Sequence, residues 1–155
     1  MIDSLKGPYR FLSNFGEGGL WYGGHFYLNR ESAYQASKLG PEHEMSRLLY
    51  ETTSGKEAKA LSKTLKHLTR PDWQQHSLPT MCEIIHAFFA QNKEVRMQLL
   101  ATGEEELVEG NNWHDDFYGV CNCKGEKPGC GEGKGLNWLG RILMAERAYW
   151  KTLHR

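Results

Sequence analysis

The sequence has no surplus of charge of either sign. Its 19 Lys and Arg residues balance 19 Asp and Glu residues, so the formal net charge is zero. A protein that holds nucleic acid mainly by its phosphates needs a positive surplus, so this balance argues against that class. It still allows a protein that takes a single nucleotide into a pocket.

Long apolar runs are also missing. A bilayer-spanning helix needs about 20 apolar residues in succession, and no segment comes near that length. Residues 1–6 lack the basic and apolar blocks of a secretory signal, so we expect a cytoplasmic protein whose four cysteines are reduced. The 155 residues contain no internal repeat, and we expect one domain over residues 1–155.

Most of the sequence shows apolar residues at the spacing of a helix. Asn29 is a suitable N-cap for a helix that Gly40-Pro41 ends, and a capping box at Ser54 starts another helix that ends at Arg70-Pro71. A further helix is predicted over residues 42–51. Another has Pro79 in its first turn, one more ends near Gly103, and the last covers residues 137–150. The side chains expected to face the core include Met45, Leu48, Leu49, Ala58, Leu61, Leu65, Leu68, Met81, Cys82, Ile84, Ile85, Phe88, Val95, Leu99, Leu100, Leu139, Ile142, Leu143 and Tyr149.

Strand signals are few and short. The segments with strand propensity are Phe11-Leu12, Phe26-Tyr27-Leu28 and Leu107-Val108-Glu109. Residues 110–136 form a long predicted loop with seven glycines, and such a loop in a compact domain is usually functional or disordered. The pattern predicts an α+β fold, a single helix-rich domain with a few short strands.

Three polar side chains share one face of the first predicted helix. Glu31, Gln35 and Lys38 stand at positions i, i+4 and i+7. Small and aromatic neighbours favour burial of Lys38, which lowers the pKa of an amine, and Glu31 is placed to hold or deprotonate it. A solvated polar stripe is the alternative interpretation.

The long loop carries two further candidate groups. The acids of Trp113-His114-Asp115-Asp116-Phe117-Tyr118-Gly119 lie between aromatic rings, which suits an active-site carboxylate; an Asx-turn with exposed rings is the alternative. Gly131-Glu132-Gly133-Lys134-Gly135 resembles a turn whose free N–H groups cradle phosphate, and a flexible entry loop explains it equally well. Asn137 then serves as the N-cap of the last helix, as a ligand contact, or as both.

Three of the four cysteines also lie in this loop. Cys121, Cys123 and Cys130, together with His114, are of the residue types that ligate zinc. Their C-x-C-x6-C spacing lacks the paired C-x2-C knuckles of most such sites. A glycine-rich lid with reduced thiols is therefore the favoured interpretation, and we expect no bound metal.

Several short motifs occur in an order that resembles one family. The motifs are Tyr9-Arg10-Phe11-Leu12-Ser13-Asn14-Phe15, Glu31-x-x-Tyr34-Gln35-Ala36-x-Lys38, Glu57-Ala58-Lys59, Trp73, Met81, Phe89-x-Gln91-Asn92, Leu99-Leu100-Ala101-Thr102-Gly103, Leu107-Val108-Glu109, Asp115-x-Phe117-Tyr118-Gly119, Gly135-x-Asn137-x-Leu139-Gly140 and Leu143-Met144-x-x-Arg147. In this order the chain resembles the NADAR family, also called YbiA-like, over nearly its whole length. The resemblance implies the same helix-rich α+β domain.

The resemblance also implies an N-glycosidase that acts on ribosylated bases. Removal of ADP-ribose from ADP-ribosylated guanine, in single-stranded DNA or in nucleotides, is the expected activity; cleavage of phosphoribosylaminopyrimidine intermediates of riboflavin synthesis is the alternative. It implies catalytic roles for Glu31, Lys38 and Asp115 and no cofactor. The residues that it implies for substrate binding are Asn14, Phe15, Tyr22, Gln35, Trp113, Phe117, Tyr118, Gly119, Lys134, Gly135, Asn137 and Gly140.

Two chemical routes are open for breaking the ribosyl C1′–N bond. In the hydrolytic route, Asp115 or Glu31 activates water; in the covalent route, Lys38 attacks C1′ and forms an imine. We favour the lysine route and expect Lys38, Glu31 and Asp115 to converge on one cavity. A module that binds ADP-ribose without cleaving it and a zinc-stabilised interaction domain are the rivals from other classes. By family analogy, the genetic partner is an ADP-ribosyltransferase toxin.

Overall fold

Helices account for most of the regular structure in this computed structural model, which describes residues 1–40 and 42–154. The described residues divide into two units. The first unit is Asn14–Val95, and the second unit comprises residues 1–13 and 96–154. The prediction of one domain over residues 1–155 stays a prediction.

The first unit combines one small hairpin with four α-helices. Strands β1 (Leu20–Tyr22) and β2 (His25–Tyr27) pair antiparallel, with Trp21 opposite Phe26. The helices are α1 (Arg30–Leu39), α2 (Arg47–Tyr50), α3 (Gly55–Thr64) and α4 (Trp73–Gln91), and a 3₁₀ turn at Glu44–Ser46 leads directly into α2. Helix α1 packs against α2, α3 and α4, so it lies at the centre of this unit.

Helix α1 begins and ends where the local chemistry predicts. The Asn29 side chain accepts a hydrogen bond from the Ser32 N–H at 2.8 Å, and Glu31 lies in the first turn, where the helix dipole favours an anion. At the other end, Gly40 adopts φ +97°, a backbone conformation that side chains disfavour. Pro41, the other half of the predicted stop signal, lies outside the described residues.

A charged side chain lies in the core of the first unit. Arg30 is fully buried, and its guanidinium lies 3.9 Å from the centre of the Phe88 ring. Burial lowers the pKa of Arg30 to about 9. The aliphatic part of this core includes Leu20, Ala33, Ala36, Leu49, Ala58, Ile84 and Ile85.

The first unit departs from the sequence prediction at five points. Helix α3 ends at Thr64 and is followed by a 3₁₀ turn at Lys66–Leu68, so it does not reach the predicted end at Arg70-Pro71. Pro79 does not begin a helix but lies inside α4, which continues for 12 residues beyond it although proline supplies no N–H to the fourth residue before it. Cys82 is exposed and not in the core. Over residues 42–51, a 3₁₀ turn and a four-residue helix replace the single helix, and Leu48 faces solvent. Glu57 of the capping box reaches back to the Thr53 N–H, one residue before the cap.

The second unit contains a 3₁₀ turn, two minimal strands and the last helices. The turn spans Gly7–Leu12; helix α5 (Lys93–Ala101) crosses into this unit from the first. Strands β3 (Gly110–Asn111) and β4 (Val120–Cys121) pair in parallel, and α6 (Trp138–Leu153) follows them. Helix α6 buries Leu139, Ile142 and Leu143 as its periodicity predicts.

Three predictions for the second unit are wrong. Phe11-Leu12 belongs to the 3₁₀ turn and not to a strand. Leu107 makes only a single bridge to Ile2, so residues 107–109 form no strand. Tyr149 is exposed on α6, because the apolar face of that helix runs out before its last turns.

Gly140 lies where α6 comes very close to the segment of chain that precedes it. A Cβ at this position would lie 2.1 Å from the Leu107 carbonyl oxygen. We therefore expect Gly140→Ala to lower the free energy of unfolding by about 2 kcal/mol or more, although alanine favours a helix. The matched control is Gly103→Ala, where φ is +64° but nothing lies within 4 Å. It should cost about 1 kcal/mol, from backbone strain alone. Equal losses in urea unfolding of the two variants would contradict the close approach.

The described elements confirm a helix-rich α+β fold with a few short strands. No helix within the described ranges combines the length and the apolar character that crossing a membrane requires.

Candidate active site

A hydrogen-bonded chain of side chains fixes the polar face of α1. Gln35 donates from Nε2 to the Glu31 Oε1 at 2.7 Å and accepts at its Oε1 from the Ser62 hydroxyl at 2.5 Å. Glu31 and Gln35 are only 7% and 3% exposed, so this face is buried and is not a solvated stripe. The prediction that these side chains share a face is confirmed, and the chain holds the Glu31 carboxylate in one orientation.

Lys38 is the last residue of this polar face, and its side chain is partly shielded from solvent. Its Nζ lies 5.5 Å from the centre of the Tyr34 ring, and its backbone carbonyl accepts from the Arg70 N–H at 2.7 Å. Burial lowers the pKa of Lys38 below the ordinary lysine value, Glu31 opposes this shift, and Lys59 and Lys66 add to it. A larger share of neutral amine is therefore present near neutral pH than on a surface lysine, as a nucleophile requires.

Lys38 and Gln35 both line a cavity in the first unit. Its volume is about 320 Å³, within the range of small-molecule sites. The lining residues are Gln35, Lys38, Lys59, Ser62, Lys63, Lys66, Thr69 and Trp73. Four lysines in one cavity with an indole and three neutral polar groups favour a ligand that is anionic and partly aromatic.

The charges around Lys38 give a testable order of pKa values. Because Lys59 and Lys66 both lower the pKa of Lys38, we expect Lys66→Met to raise that pKa toward the ordinary value. Glu31→Gln should lower it further, because Glu31 raises it. Reductive ¹³C-methylation followed by NMR titration measures both shifts. A Lys38 resonance that titrates with the surface lysines in all three proteins would show that the amine is fully solvated.

Phe15 lies against the base of α1 through a close approach at Gly55. A Cβ on Gly55 would lie 2.6 Å from the Phe15 ring and 3.1 Å from the Glu31 Cβ, so only glycine fits there without displacement. Lys59 Nζ lies 5.9 Å from the centre of the same ring. Phe15 is thus placed near Glu31 and one cavity lysine, but neither Phe15 nor Glu31 lines the cavity, and the substrate-binding role of Phe15 stays a prediction.

Asn14 and Tyr22 lie outside the cavity lining. Asn14 is 6% exposed and donates to the Met81 sulfur at 3.1 Å, while its Oδ1 has no hydrogen-bond partner among the described residues. The Tyr22 hydroxyl donates to Glu83 at 2.6 Å; burial and this bond raise the pKa of Tyr22. Their roles in substrate binding stay predictions.

Six cavity residues, Ser62 among them, were not predicted as site residues from the sequence. Lys59, Lys63 and Lys66 resemble the solvated face of an amphipathic helix, and Trp73 and Thr69 lie outside it. Lys59, Lys63 and Lys66 stand at positions i, i+4 and i+7, as Glu31, Gln35 and Lys38 do. This repeated spacing was the signal in the sequence that could have identified the three lysines. A second row of polar side chains that all carry the same charge, facing the first row, indicates a shared site.

In the second unit, Asp115 forms a tight turn. Its Oδ1 accepts from the N–H groups of Phe117 at 3.1 Å and Tyr118 at 3.0 Å. Asn111 holds the same residue by its backbone, donating to the Asp115 carbonyl at 2.7 Å and accepting from its N–H at 3.1 Å. This is the Asx-turn that the alternative interpretation describes. The catalytic role of Asp115, and its convergence with Glu31 and Lys38, stay predictions.

The aromatic rings next to Asp115 are accessible. Trp113 is 46% and Phe117 39% exposed, and the Phe117 and Tyr118 rings meet edge to face at 4.8 Å between centroids. Lys6 Nζ lies 5.8 Å from the centre of the Trp113 ring. Exposed rings of this kind are available to stack on a flat ligand.

The glycine-rich segment before α6 has a structural role. The N–H groups of Gly133 and Lys134 donate to carbonyls of the same loop, and those of residues 136–139 donate to carbonyls of residues 116–119. The expectation of free N–H groups cradling phosphate is therefore wrong for these residues, because the chain itself uses them. The exposed side chain of Lys134 remains available to a ligand.

Gly119, Gly135 and Asn137 hold this part of the chain together. A Cβ on Gly135 would lie 2.2 Å from the Gly119 carbonyl oxygen, and one on Gly119 would lie 2.4 Å from the Glu109 carbonyl oxygen. Asn137 stands before α6 with φ +53°, accepts from the Glu109 N–H and donates to the Leu107 carbonyl, each at 3.0 Å. Asn137 occupies the N-cap position of α6 as predicted, but its side chain makes no cap bond to that helix.

Comparison with known proteins gives the family. The NADAR domain matches residues 4–150. An N-glycosidase of Nostoc punctiforme is 32% identical over 149 residues, which cover 94% of this chain and 88% of that protein. The NMR structure of the Escherichia coli protein YbiA superposes with a TM-score of 0.78 at 25% identity and covers 99% of this chain and 89% of that chain.

A third relative is a longer protein, and this chain matches only one part of it. A riboflavin biosynthesis protein of Vibrio vulnificus is 33% identical over 137 residues, which cover 88% of this chain but 34% of that protein. The chain belongs to the NADAR domain family. It is an N-glycosidase, a hydrolase that acts on N-glycosyl compounds.

Proposed function

We propose that this N-glycosidase removes ADP-ribose from ADP-ribosylated guanine, in single-stranded DNA or in nucleotides, and that the lysine-lined cavity binds the ADP-ribosyl group. The observation that carries the proposal is the meeting of Gln35 and Lys38 from α1 with Lys59, Lys63 and Lys66. A reactive amine thereby lies in the same cavity as a cluster of anion-binding groups.

The arrangement of the lysines favours a diphosphate. Lys59 and Lys63 are one helical turn apart, about 6 Å along the axis of α3, and Lys66 continues the row just beyond the helix. A row of this length extends past the oxygens of a single phosphate. A diphosphate that joins two riboses presents anionic oxygens over a comparable distance, and each lysine adds one charge-assisted contact.

Trp73 supplies an aromatic wall beside these charges. It begins α4, lines the cavity, and meets the Tyr34 ring at 5.2 Å between centroids. Tyr34 thus fixes the indole, whose other surface is available to a purine.

The chemistry that we propose is covalent. The neutral Lys38 amine bonds to C1′ as the C1′–N bond to the base breaks, and the electron pair leaves with the base, which takes up a proton. The C1′–O4′ bond then opens, O4′ takes the second amine proton, and a C1′=N imine forms. Water hydrolyses the imine and releases the sugar and the free amine.

Glu31 has an electrostatic role in this scheme. Positive charge develops on the ribose as the base departs, and a fixed carboxylate near C1′ stabilises it. The bonds from Ser62 to Gln35 and from Gln35 to Glu31 keep that carboxylate in place. In the alternative route, Glu31 or Asp115 activates water and Lys38 serves only as a cation.

A second candidate substrate is favoured by one relative. The Vibrio vulnificus relative is named for riboflavin biosynthesis, and the chain matches about a third of its length. A phosphoribosylaminopyrimidine offers one phosphate, a ribosyl C1′–N bond and a flat ring. The same cavity would bind it through fewer of its lysines.

A substrate panel separates these candidates. The purified protein is incubated with ADP-ribosylated guanine in single-stranded DNA, ADP-ribosylated guanosine nucleotides and phosphoribosylaminopyrimidines, and products are identified by mass spectrometry. We expect release of ADP-ribose from the first two. Cleavage of the pyrimidine alone would replace the proposed substrate, and tight binding without cleavage would favour a binding module. Cleavage of the DNA substrate would make an ADP-ribosyltransferase toxin the partner to seek.

A further inference from the structure

Four metal-ligating side chains of the second unit meet in the loop between β3 and α6. They are His114, Cys121, Cys123 and Cys130. One ring nitrogen of the histidine and the three sulfurs all lie within 4.8 Å of one another. The catalytic scheme uses none of these side chains, and a single disulfide would account for only two of them.

Two distances within this cluster are close to those of tetrahedral zinc. With Zn–S about 2.3 Å and Zn–N about 2.0–2.1 Å, a tetrahedron sets its N···S edges at about 3.6 Å and its S···S edges at about 3.8 Å. His114 Nδ1 lies 3.5 Å from the Cys130 sulfur and 4.0 Å from the Cys121 sulfur. One histidine and three cysteines also form a ligand set that structural zinc sites use.

The backbone is shaped to bring the four side chains together. Cys121 is in β4, where it is fully buried, and Cys123 is 4% exposed. Gly131 adopts φ +103°, and a Cβ there would lie 2.3 Å from the Cys123 carbonyl oxygen. His114 itself adopts φ +71°, a conformation that histidine rarely adopts. Strain of this kind persists where the surroundings hold it in place.

The second ring nitrogen of His114 has a carboxylate partner. Its Nε2 lies 3.7 Å from the Glu126 Oε2. Metal-ligating histidines commonly donate their other N–H to a carboxylate, which fixes the ring and makes the ligating nitrogen more basic. Nδ1 thus faces the sulfurs and an exposed carboxylate lies near Nε2, at a separation longer than a hydrogen bond.

We propose that His114, Cys121, Cys123 and Cys130 bind one structural zinc ion. All four protein ligands are present, so no position remains open for water and the site is structural. The ion closes the loop over residues 114–130 and thereby holds the Asp115 turn, which begins one residue after the first ligand. This reverses the preference of the sequence analysis for a metal-free lid.

Metal content tests the proposal directly. Protein purified without chelator is analysed for metals by mass spectrometry, and we expect about one zinc ion per chain. His114→Asn suits the left-handed backbone but removes the ring, and Cys130→Ser removes a less buried sulfur; each should lose most of the zinc. Glu126→Gln should weaken zinc binding by roughly 10-fold in chelator competition. Cys82→Ser, which changes the exposed cysteine of α4, should keep it all.

Two further measurements guard against variants that merely misfold. His114→Cys restores four ligands and should recover the zinc. Cobalt(II) added to metal-free protein should give the charge-transfer absorption of thiolate ligands, and Cys130→Ser should weaken it. A wild-type protein with no zinc and a Cys121–Cys130 disulfide would overturn the proposal, and so would zinc that survives both His114→Asn and Cys130→Ser.

Discussion

Replacing Lys38 with methionine is expected to lower kcat by roughly three orders of magnitude or more. Burial lowers the pKa of Lys38 below the ordinary lysine value, and methionine removes this cavity amine at similar volume. The loss should appear in kcat, because the amine acts on the reacting carbon, while KM for the best substrate of the panel should change little.

Two neighbouring variants make this result specific. Lys38→Arg keeps the positive charge but removes an amine that can form an imine, so it should be as inactive as Lys38→Met. Lys63→Met changes a lysine of the same cavity that has no covalent role. It should raise KM by roughly 5- to 10-fold and leave kcat nearly intact. Full activity in Lys38→Arg would favour the hydrolytic route, in which Lys38 is only a cation.

Glu31→Gln is expected to lower kcat by roughly 10²- to 10³-fold. The substitution keeps an oxygen that accepts from Gln35 but removes the negative charge that stabilises the ribosyl cation. Because the shape is preserved, the melting temperature should change little. A large fall in melting temperature together with the fall in kcat would indicate a structural role for the carboxylate instead.

The matched control for Glu31 is Glu57→Gln. Glu57 is also a glutamate of the first unit, but it is exposed and accepts from Thr53 at the start of α3. Its substitution should cost only a few tenths of a kcal/mol in stability and leave kcat unchanged. Equal kcat losses in the two variants would show that Glu31 has no special position.

The sequence predicts the polar face of α1 because that face depends on local rules. An Asn29 cap, a glycine end signal and helical spacing are enough to align Glu31, Gln35 and Lys38. The buried faces of α4 and α6 follow from the same periodicity. Periodicity does not predict which other element a helix face packs against. The packing of α3 on α1 brings Lys59 and Ser62 into the cavity.

Other errors have specific physical causes. Pro79 favours a first turn in isolation, but Met81, Ile84 and Phe88 pack in the core after it, and Trp73 meets the Tyr34 ring before it. The glycines before α6 resembled a phosphate cradle, yet the Gly133 N–H bonds to the Cys121 carbonyl and the Lys134 N–H bonds to the Gly131 carbonyl. The four proposed zinc ligands were visible as residue types, but their meeting depends on the pairing of β3 with β4 and on a left-handed His114.

The central claim is that the Lys38 amine reacts with the ribosyl carbon. Sodium borohydride added during turnover reduces an imine to a stable amine, and peptide mapping by mass spectrometry locates it. The account predicts a sugar adduct on Lys38 and none on Lys59, Lys63 or Lys66. Rapid turnover with no adduct on Lys38, in a protein whose Lys38→Arg variant remains fully active, would contradict it.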